Sequence, residues 1–403
     1  MAALPLDHIR DQFPILKQAG APAYLDSAAT SQKPQVVIDR LQRYYAQENA
    51  NVHRGIYALS EAATREFEDA RQEAARFLQA EHVEETIFTR GTTEAINLVA
   101  QCFASQLQPG DEILLSVAEH HSNIVPWQMV AERYQLNIKY IPLTPEMRLD
   151  LDAARQLVTG RTKILSIAHI SNVLGVIHPI EELIQMAHQV GAKVMIDGAQ
   201  GAVHLPIDVQ KLDCDFYAFS GHKVCGPTGI GVLYGKKDLL NAMPPYQGGG
   251  DMIEQVSLKG STWNQLPSKF EAGTPNIAGA IGLAEALRFL QSLPRKEALQ
   301  HEQALGRQIL EVLAGSRAKA LITAGDDWVG IVPFYHPDIH PHDLASICDS
   351  ENVCIRAGHH CAQPLMEYLG VSATARLSPY IYNTTADIEQ FARALAKAEK
   401  LFC

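Results

Sequence analysis

A lysine in a glycine-rich turn between two apolar runs can act as an amine nucleophile, and Lys223 is placed in this way. It lies in FYAFSGHKVCGPTGIGVLYG, Phe216 to Gly235. Ser220 and His222 flank it with hydrogen-bonding groups, and Gly226, Gly229 and Gly231 let the backbone approach a ligand closely. Most loop lysines only face water, so Lys223 takes its meaning from its company. VMIDGAQGAVH sets Asp197 at the carboxyl end of an apolar run, where a carboxylate is costly without a partner. It can cap the next turn, or it can hold a ring nitrogen protonated. Gln200, three residues on, is spaced to reach a ring oxygen. TRGTTEAINLVA passes through Gly91-Thr92-Thr93 into a helical pattern. Thr92 at such a start is an ordinary cap, but free N–H groups and hydroxyls there also suit a phosphate. A Schiff-base lysine, a pyridinium partner and a phosphate cup are together what pyridoxal 5'-phosphate requires.

Two further segments add chemistry. VAEHHSNIVPW offers His120 for stacking on a cofactor ring and for acid–base work, while His121 reads as a plain loop histidine. IRAGHHCAQPLM offers Cys361. A thiol with an ordinary pKa near 8.5 is only partly ionised at neutral pH, and Arg356, His359 and His360 are cationic neighbours of the kind that lower it. Cysteines are often simply buried, yet Gly358 and Pro364 bracket a polar loop, which predicts an exposed and mobile Cys361. The other six cysteines carry no expected role. Cys102, Cys214 and Cys348 read as core, Cys354 ends a strand, Cys403 is terminal, and Cys225 follows Lys223 by two residues. Seven scattered cysteines without a CxxC exclude a disulfide framework and a zinc ribbon, and they suit the reducing cytoplasm. His336, His340 and His342 match no metal-ligand spacing, and the glycine-rich stretch from Gly248 to Leu258 is a poor dinucleotide fingerprint. No metal is expected.

The elements that must hold these residues follow from hydrophobic pattern. Strands are expected at Thr86–Thr89, Glu112–Ser116, Lys163–Ala168, Lys193–Asp197, Phe216–Ser220 and Gly231–Tyr234, with helices at Glu94–Ala104, Val125–Tyr134 and Ile180–Val190 between them. Such alternation predicts an α/β fold with a mostly parallel sheet covered on both faces, and ligands then sit at the carboxyl ends of the strands. After about Gly282 the pattern changes to helices at Ile281–Gln291 and Lys296–Leu313, short strands at Gly330–Phe334 and Val353–Arg356, and a last amphipathic helix at Ala386–Leu401. The expected organisation is a large domain over 21–282 and a smaller C-terminal α/β domain over 283–403, with residues 1–20 packed on one of them. The chain of 403 residues is 47% hydrophobic and 20% charged, with a net charge of −11. It is long enough for a large core, and its acidity argues against nucleic-acid or membrane partners. No signal peptide and no 18-residue apolar run is seen.

These motifs together resemble the class V aminotransferase-fold enzymes. The resemblance spans nearly the whole chain, from YLDSAATSQKP through NVHRGIYALS, RGTTEAIN, EHHSN, DGAQ, HKVCGPTG and FEAGTPN to the late YNT. IRAGHHCAQPLM narrows it to the group II cysteine desulfurases of the SufS and CsdA type. That likeness implies the fold type I of pyridoxal phosphate transferases and conversion of L-cysteine to L-alanine, the sulfur passing to an enzyme persulfide for iron–sulfur cluster assembly. A selenocysteine lyase shares the fold and most of the residues. A transaminase or kynureninase-like enzyme would need no nucleophilic thiol, and a mere binding protein would need no lysine.

The likeness also assigns roles. Lys223 would hold the cofactor, Asp197 its ring nitrogen and Gln200 its ring oxygen, with His120 stacked on the ring. Thr92, Ser220 and His222 would bind the phosphate, joined by Thr274 from the second subunit of a homodimer. Arg376 and Asn172 would take the substrate carboxylate, Arg356 would shape the reactive loop, and Cys361 would be the nucleophile. A SufE-like or SufU-like protein would accept the sulfur. Cys225, Leu377 and Pro379 depart from the usual family wording, and His360 stands where some relatives have glutamine.

Overall fold

The structure, a computed structural model, describes residues 8–402. Its centre is a seven-stranded sheet: β1 (Thr86–Thr89), β2 (Glu112–Ser116), β3 (Asn137–Ile141), β4 (Thr162–Ala168), β5 (Lys193–Asp197), β6 (Phe216–Ser220) and β7 (Gly231–Gly235), in the order β1-β7-β6-β5-β4-β2-β3. Only β7 runs against the others. Four of the six expected strands have their predicted bounds, and the other two, Lys163–Ala168 and Gly231–Tyr234, are each one residue longer at one end. β3 was not foreseen, because it is an edge strand with a largely half-exposed face and lacks the apolar run of a central one.

Each strand feeds two cores by alternation. Ile113, Leu115, Ile164, Met195 and Phe216 cluster with α2 (Thr92–Ala104) and α3 (Val125–Tyr134). Leu114, Leu165, Val194, Ile196 and Phe219 cluster with α1 (Ala58–Leu78), α4 (Ile180–Gln189) and α5 (Ile277–Gln291). Apart from the edge strand β3, the strands are covered on both faces, which explains their apolar runs. Between β7 and α5 an exposed hairpin projects, β8 (Ile253–Ser257) with β9 (Gly260–Trp263).

The C-terminal unit is an antiparallel sheet of order β10-β11-β13-β12, made of β10 (Lys319–Ala320), β11 (Val332–Tyr335), β12 (Arg356–Gly358) and β13 (Thr374–Leu377). It packs with α6 (Arg295–Ala314), α7 (Gln363–Tyr368) and α8 (Thr385–Phe402). The boundary expected at 282/283 falls inside α5, which is one continuous buried helix packed in the core that also holds α1 and α4. A division cannot cut such a helix, so we place it in the turn at Ser292–Pro294. The described part of the N-terminal segment, from residue 8 on, packs on both units rather than one, and residues 1–7 lie outside the described residues. Phe13 meets Phe289 of α5 and Tyr382 of the C-terminal unit, and Arg10 reaches Asp387. Cys403 lies outside the described residues. No helix among the described residues is long and apolar enough to cross a membrane.

Candidate active site

The strand ends converge as parallel topology requires. Ser116, Ala168, Asp197 and Ser220 close β2, β4, β5 and β6, and beside them opens a cavity of about 220 Å³. Lys223, Asp197, Gln200, His120, Thr92, Ser220, His222, Asn172, Arg356, Arg376 and Cys361 all line it. Thr274 does not. It lines a second cavity with Arg90, Glu94, Gly229, Tyr246 and Gln247.

Burial dominates the electrostatics. Lys223 is pushed down to about 8 by burial, helped by Arg376 and Arg356 and opposed by Asp197. The Asp197 carboxyl is pushed up by burial, against the Ala199 N–H that it accepts at 2.9 Å and the charge of Lys223. His120 is driven down to about 3 by burial, then by Lys223, so its ring is neutral. Its Nδ1 accepts from the Ser122 N–H at 3.0 Å, which leaves the proton on Nε2. His222 falls to about 4 by burial and the nearby Lys223. Its carbonyl is tied down from residues 30–33: Thr30 Oγ1, Ser31 Oγ and the Lys33 ammonium donate to it at 3.1, 3.1 and 2.9 Å. The peptide that carries Lys223 is therefore fixed.

The residues present fit a phosphorylated ring cofactor. Gly91 is the N-cap of α2 and supplies no side chain to its free N–H groups. Thr92 and Ser220 face each other there, with Oγ atoms 2.8 Å apart and the Thr92 N–H donating to Ser220 Oγ at 2.9 Å. An uncapped helix start beside two hydroxyls is an anion site. Gln200 donates its amide N–H to the Ala28 carbonyl at 2.8 Å and lines the same cavity. Among the described residues no group of histidine, cysteine and carboxylate could hold a metal ion.

The opposite wall suits a carboxylate. Arg356 and Arg376 are direct cross-strand partners on β12 and β13, an arrangement of like charges that disfavours itself. Asp26 offsets part of it through a 3.0 Å ion pair with Arg376, and a second anion would offset the rest. The Arg376 Nη1 donates to the Asn172 carbonyl at 2.8 Å, while Arg376 Nε, Asn172 Oδ1 and His360 Nδ1 are buried without protein partners. Such orphaned atoms mark a place where a polar ligand belongs.

The Cys361 loop differs from expectation. Cys361 is half-buried, not exposed, and it is tied at several points. Its carbonyl accepts from the His121 N–H at 2.7 Å, and the preceding His360 carbonyl accepts from Asn172 Nδ2 at 2.9 Å. His360 and Cys361 have φ of 53° and 56°, a left-handed backbone that non-glycine residues adopt only when neighbours enforce it. Arg356 Nη2 stands 3.9 Å from the Cys361 sulfur. His360, expected to add positive charge, is driven down to about 2 by burial and the two arginines, and its Nε2 pairs with Thr374 Oγ1. Arg356 is thus a cation in contact with the thiol. Cys225, by contrast, is fully buried, and burial pushes its thiol up to about 11.

Asp26, Lys33 and His121 were missed by sequence reading. The only signal for Asp26 is a carboxylate set in the apolar YLDSAAT run.

The chain matches the family described as Aminotransferase class-V over residues 23–391. It is 51% identical to a probable cysteine desulfurase of Vibrio cholerae over 99% of both chains, and 49% identical to a probable cysteine desulfurase of Halalkalibacterium halodurans over 98% of both. The crystal structure of the cysteine desulfurase CsdA from Escherichia coli is similar at a TM-score of 0.93 and 43% identity, covering 99% of this chain and all of that one. The apo structure of cysteine desulfurase from Thermococcus onnurineus gives a TM-score of 0.95 at 38% identity, with both chains fully covered.

Proposed function

This chain belongs to the aminotransferase class-V family and acts as a cysteine desulfurase, and from that premise we propose that Cys361 is the thiol that takes the sulfur. One observation carries the assignment. Cys361, Lys223, Asp197 and the arginine pair all line a single small cavity, so an amino acid held there by its carboxylate faces both the lysine and the thiol.

Lys223 would hold pyridoxal 5'-phosphate, with Asp197 at its ring nitrogen, Gln200 at its ring oxygen, His120 over the ring, and Thr92, Ser220 and His222 at the phosphate. When bound, the cofactor supplies a sink for the electron pair left as the substrate Cα–H bond breaks. Arg376 and the second N–H of the Asn172 amide hold the substrate carboxylate. With a pKa near 8, Lys223 is close to the balance between free base and ammonium at neutral pH, so it can take the Cα proton and later return one. The Cys361 thiolate attacks the substrate sulfur. An S–S bond forms, the Cβ–S bond breaks with its electrons left on carbon, and that carbon takes up a proton to give L-alanine. Cys361 is left as a persulfide, partly exposed for transfer onward. We infer an acceptor protein of the SufE-like or SufU-like kind and supply to iron–sulfur cluster assembly. A homodimer would bring Thr274 of a second copy to the phosphate.

Incubation of the enzyme with L-cysteine, followed by mass analysis of the Cys361 peptide, tests the reading. The expected result is one added sulfur atom on Cys361 and alanine formed in step. In Cys361→Ala, alanine formation is expected to fall ~100-fold or more while the yellow colour of the bound cofactor stays. Parent-level alanine formation in that variant would overturn the assignment.

A further inference from the structure

His121 has no task in the chemistry above, yet it touches the reactive loop at two points, the nucleophile itself and Gln363 two positions on. Its backbone N–H donates to the Cys361 carbonyl at 2.7 Å. Its ring Nε2 accepts from the Gln363 N–H at 2.9 Å. A ring nitrogen accepts only when it carries no proton, and burial together with the neighbouring His359 pushes His121 down, which favours that form. His121 itself is anchored in a short turn: it follows His120, and the Thr93 and Ser122 hydroxyls beside it pair at 2.7 Å. That turn hangs from the end of β2, on the large unit, whereas Gln363 begins α7 of the C-terminal unit. The two bonds thus bracket residues 361–363 from across the cavity. They lie where the backbone is in the left-handed region at His360 and Cys361, a conformation that needs outside restraint.

We propose that His121 is the positioning residue of the nucleophile, a two-point clamp from the cofactor-side turn that keeps the Cys361 sulfur directed into the cavity. The proposal rests on Cys361 being the sulfur acceptor. The backbone bond to Cys361 survives any ordinary side-chain change, so substitution isolates the ring's bond to Gln363. Once that bond is gone, the loop has one anchor fewer on its C-terminal side and the sulfur spends less time in line with the substrate.

The test uses the holoenzyme. His121→Ala is expected to lower kcat for alanine formation from L-cysteine by ~10- to 100-fold, the scale of an error of about 1 Å in placing a reacting atom. KM and the cofactor absorbance are expected to hold, because Arg376, Lys223 and Asp197 are untouched. Alkylation of Cys361 by iodoacetamide, read by mass at that peptide, is expected to quicken as the loop loosens. His121→Gln, whose Oε1 can accept the Gln363 N–H, is expected to restore most of kcat and the slow alkylation. Parent-like kcat and alkylation in His121→Ala would overturn the clamp, and so would His121→Gln performing no better than His121→Ala. Parent-level alanine formation in Cys361→Ala would instead remove the nucleophile, and the clamp with it, so the two failures are read from different variants.

Discussion

Lys223 is an amine whose surroundings disagree over its charge. Burial, Arg376 and Arg356 favour the neutral form, and Asp197 favours the ammonium. The balance near 8 has a direct consequence, since only the free base attacks a carbonyl. Below that pKa the free-base fraction rises about tenfold per pH unit, and above it the fraction levels off. Reloading of stripped protein with pyridoxal phosphate should therefore speed up from about pH 6 to about pH 8 and then plateau. A flat rate across that range, followed by absorbance, would contradict the balance. At this scale the reactive set was legible in the sequence, because Lys223, Asp197, Thr92 and Cys361 each stand in a short motif whose neighbours betray its use. Asp26 and His121 were not. They act through contacts with residues 350 and more than 240 positions away, and such partners leave no trace in local spacing.

Among the elements, the β7–α2 junction shows how tightly the site is built. A Cβ on Gly231 would stand 2.5 Å from the Gly91 Cα and 2.6 Å from the Phe219 carbonyl. Both obstacles are backbone and cannot swing away. Gly231→Ala is expected to cost ~1–3 kcal/mol through overpacking, and to weaken cofactor affinity by pushing the Gly91 turn off Ser220. Thermal unfolding and a cofactor titration would check it, and an unchanged midpoint with unchanged affinity would refute it. The central strands were readable because burial on both faces leaves an unbroken apolar run. What could not be read was any element whose existence depends on a distant partner. Ala23–Tyr24 is a strand only because it lies parallel to Val353–Cys354, and the residues expected as one strand at Val353–Arg356 divide between that pairing and β12. The helix across the expected domain boundary is another element that local pattern does not delimit. Its apolar residues continue through Gly282 with no break in the pattern, and the helix packs along α1.

For the whole molecule, the clearest sign of incompleteness is apolar surface. Ile56 and Leu258 stand fully exposed, with Val256 and Trp263 on the hairpin also open to solvent. Surfaces of this kind mark protein contacts. Light scattering is expected to give twice the 44.3 kDa chain mass, and a monomer mass at working concentration would contradict the dimer and leave Thr274 without a site. The segment from Tyr24 to Lys33 has a different reach. Leu25 bonds Cys354 and Ser378, Asp26 holds Arg376, Ser27 meets Tyr382, and Thr30, Ser31 and Lys33 secure the His222 carbonyl. Cys354, Arg376, Ser378 and Tyr382 follow this segment by more than 300 positions. Contacts so distant along the chain form late in folding. The growing chain can lay down its central sheet and still hold no working pocket, so Lys223 and Cys361 first meet only once the C-terminal unit has joined it.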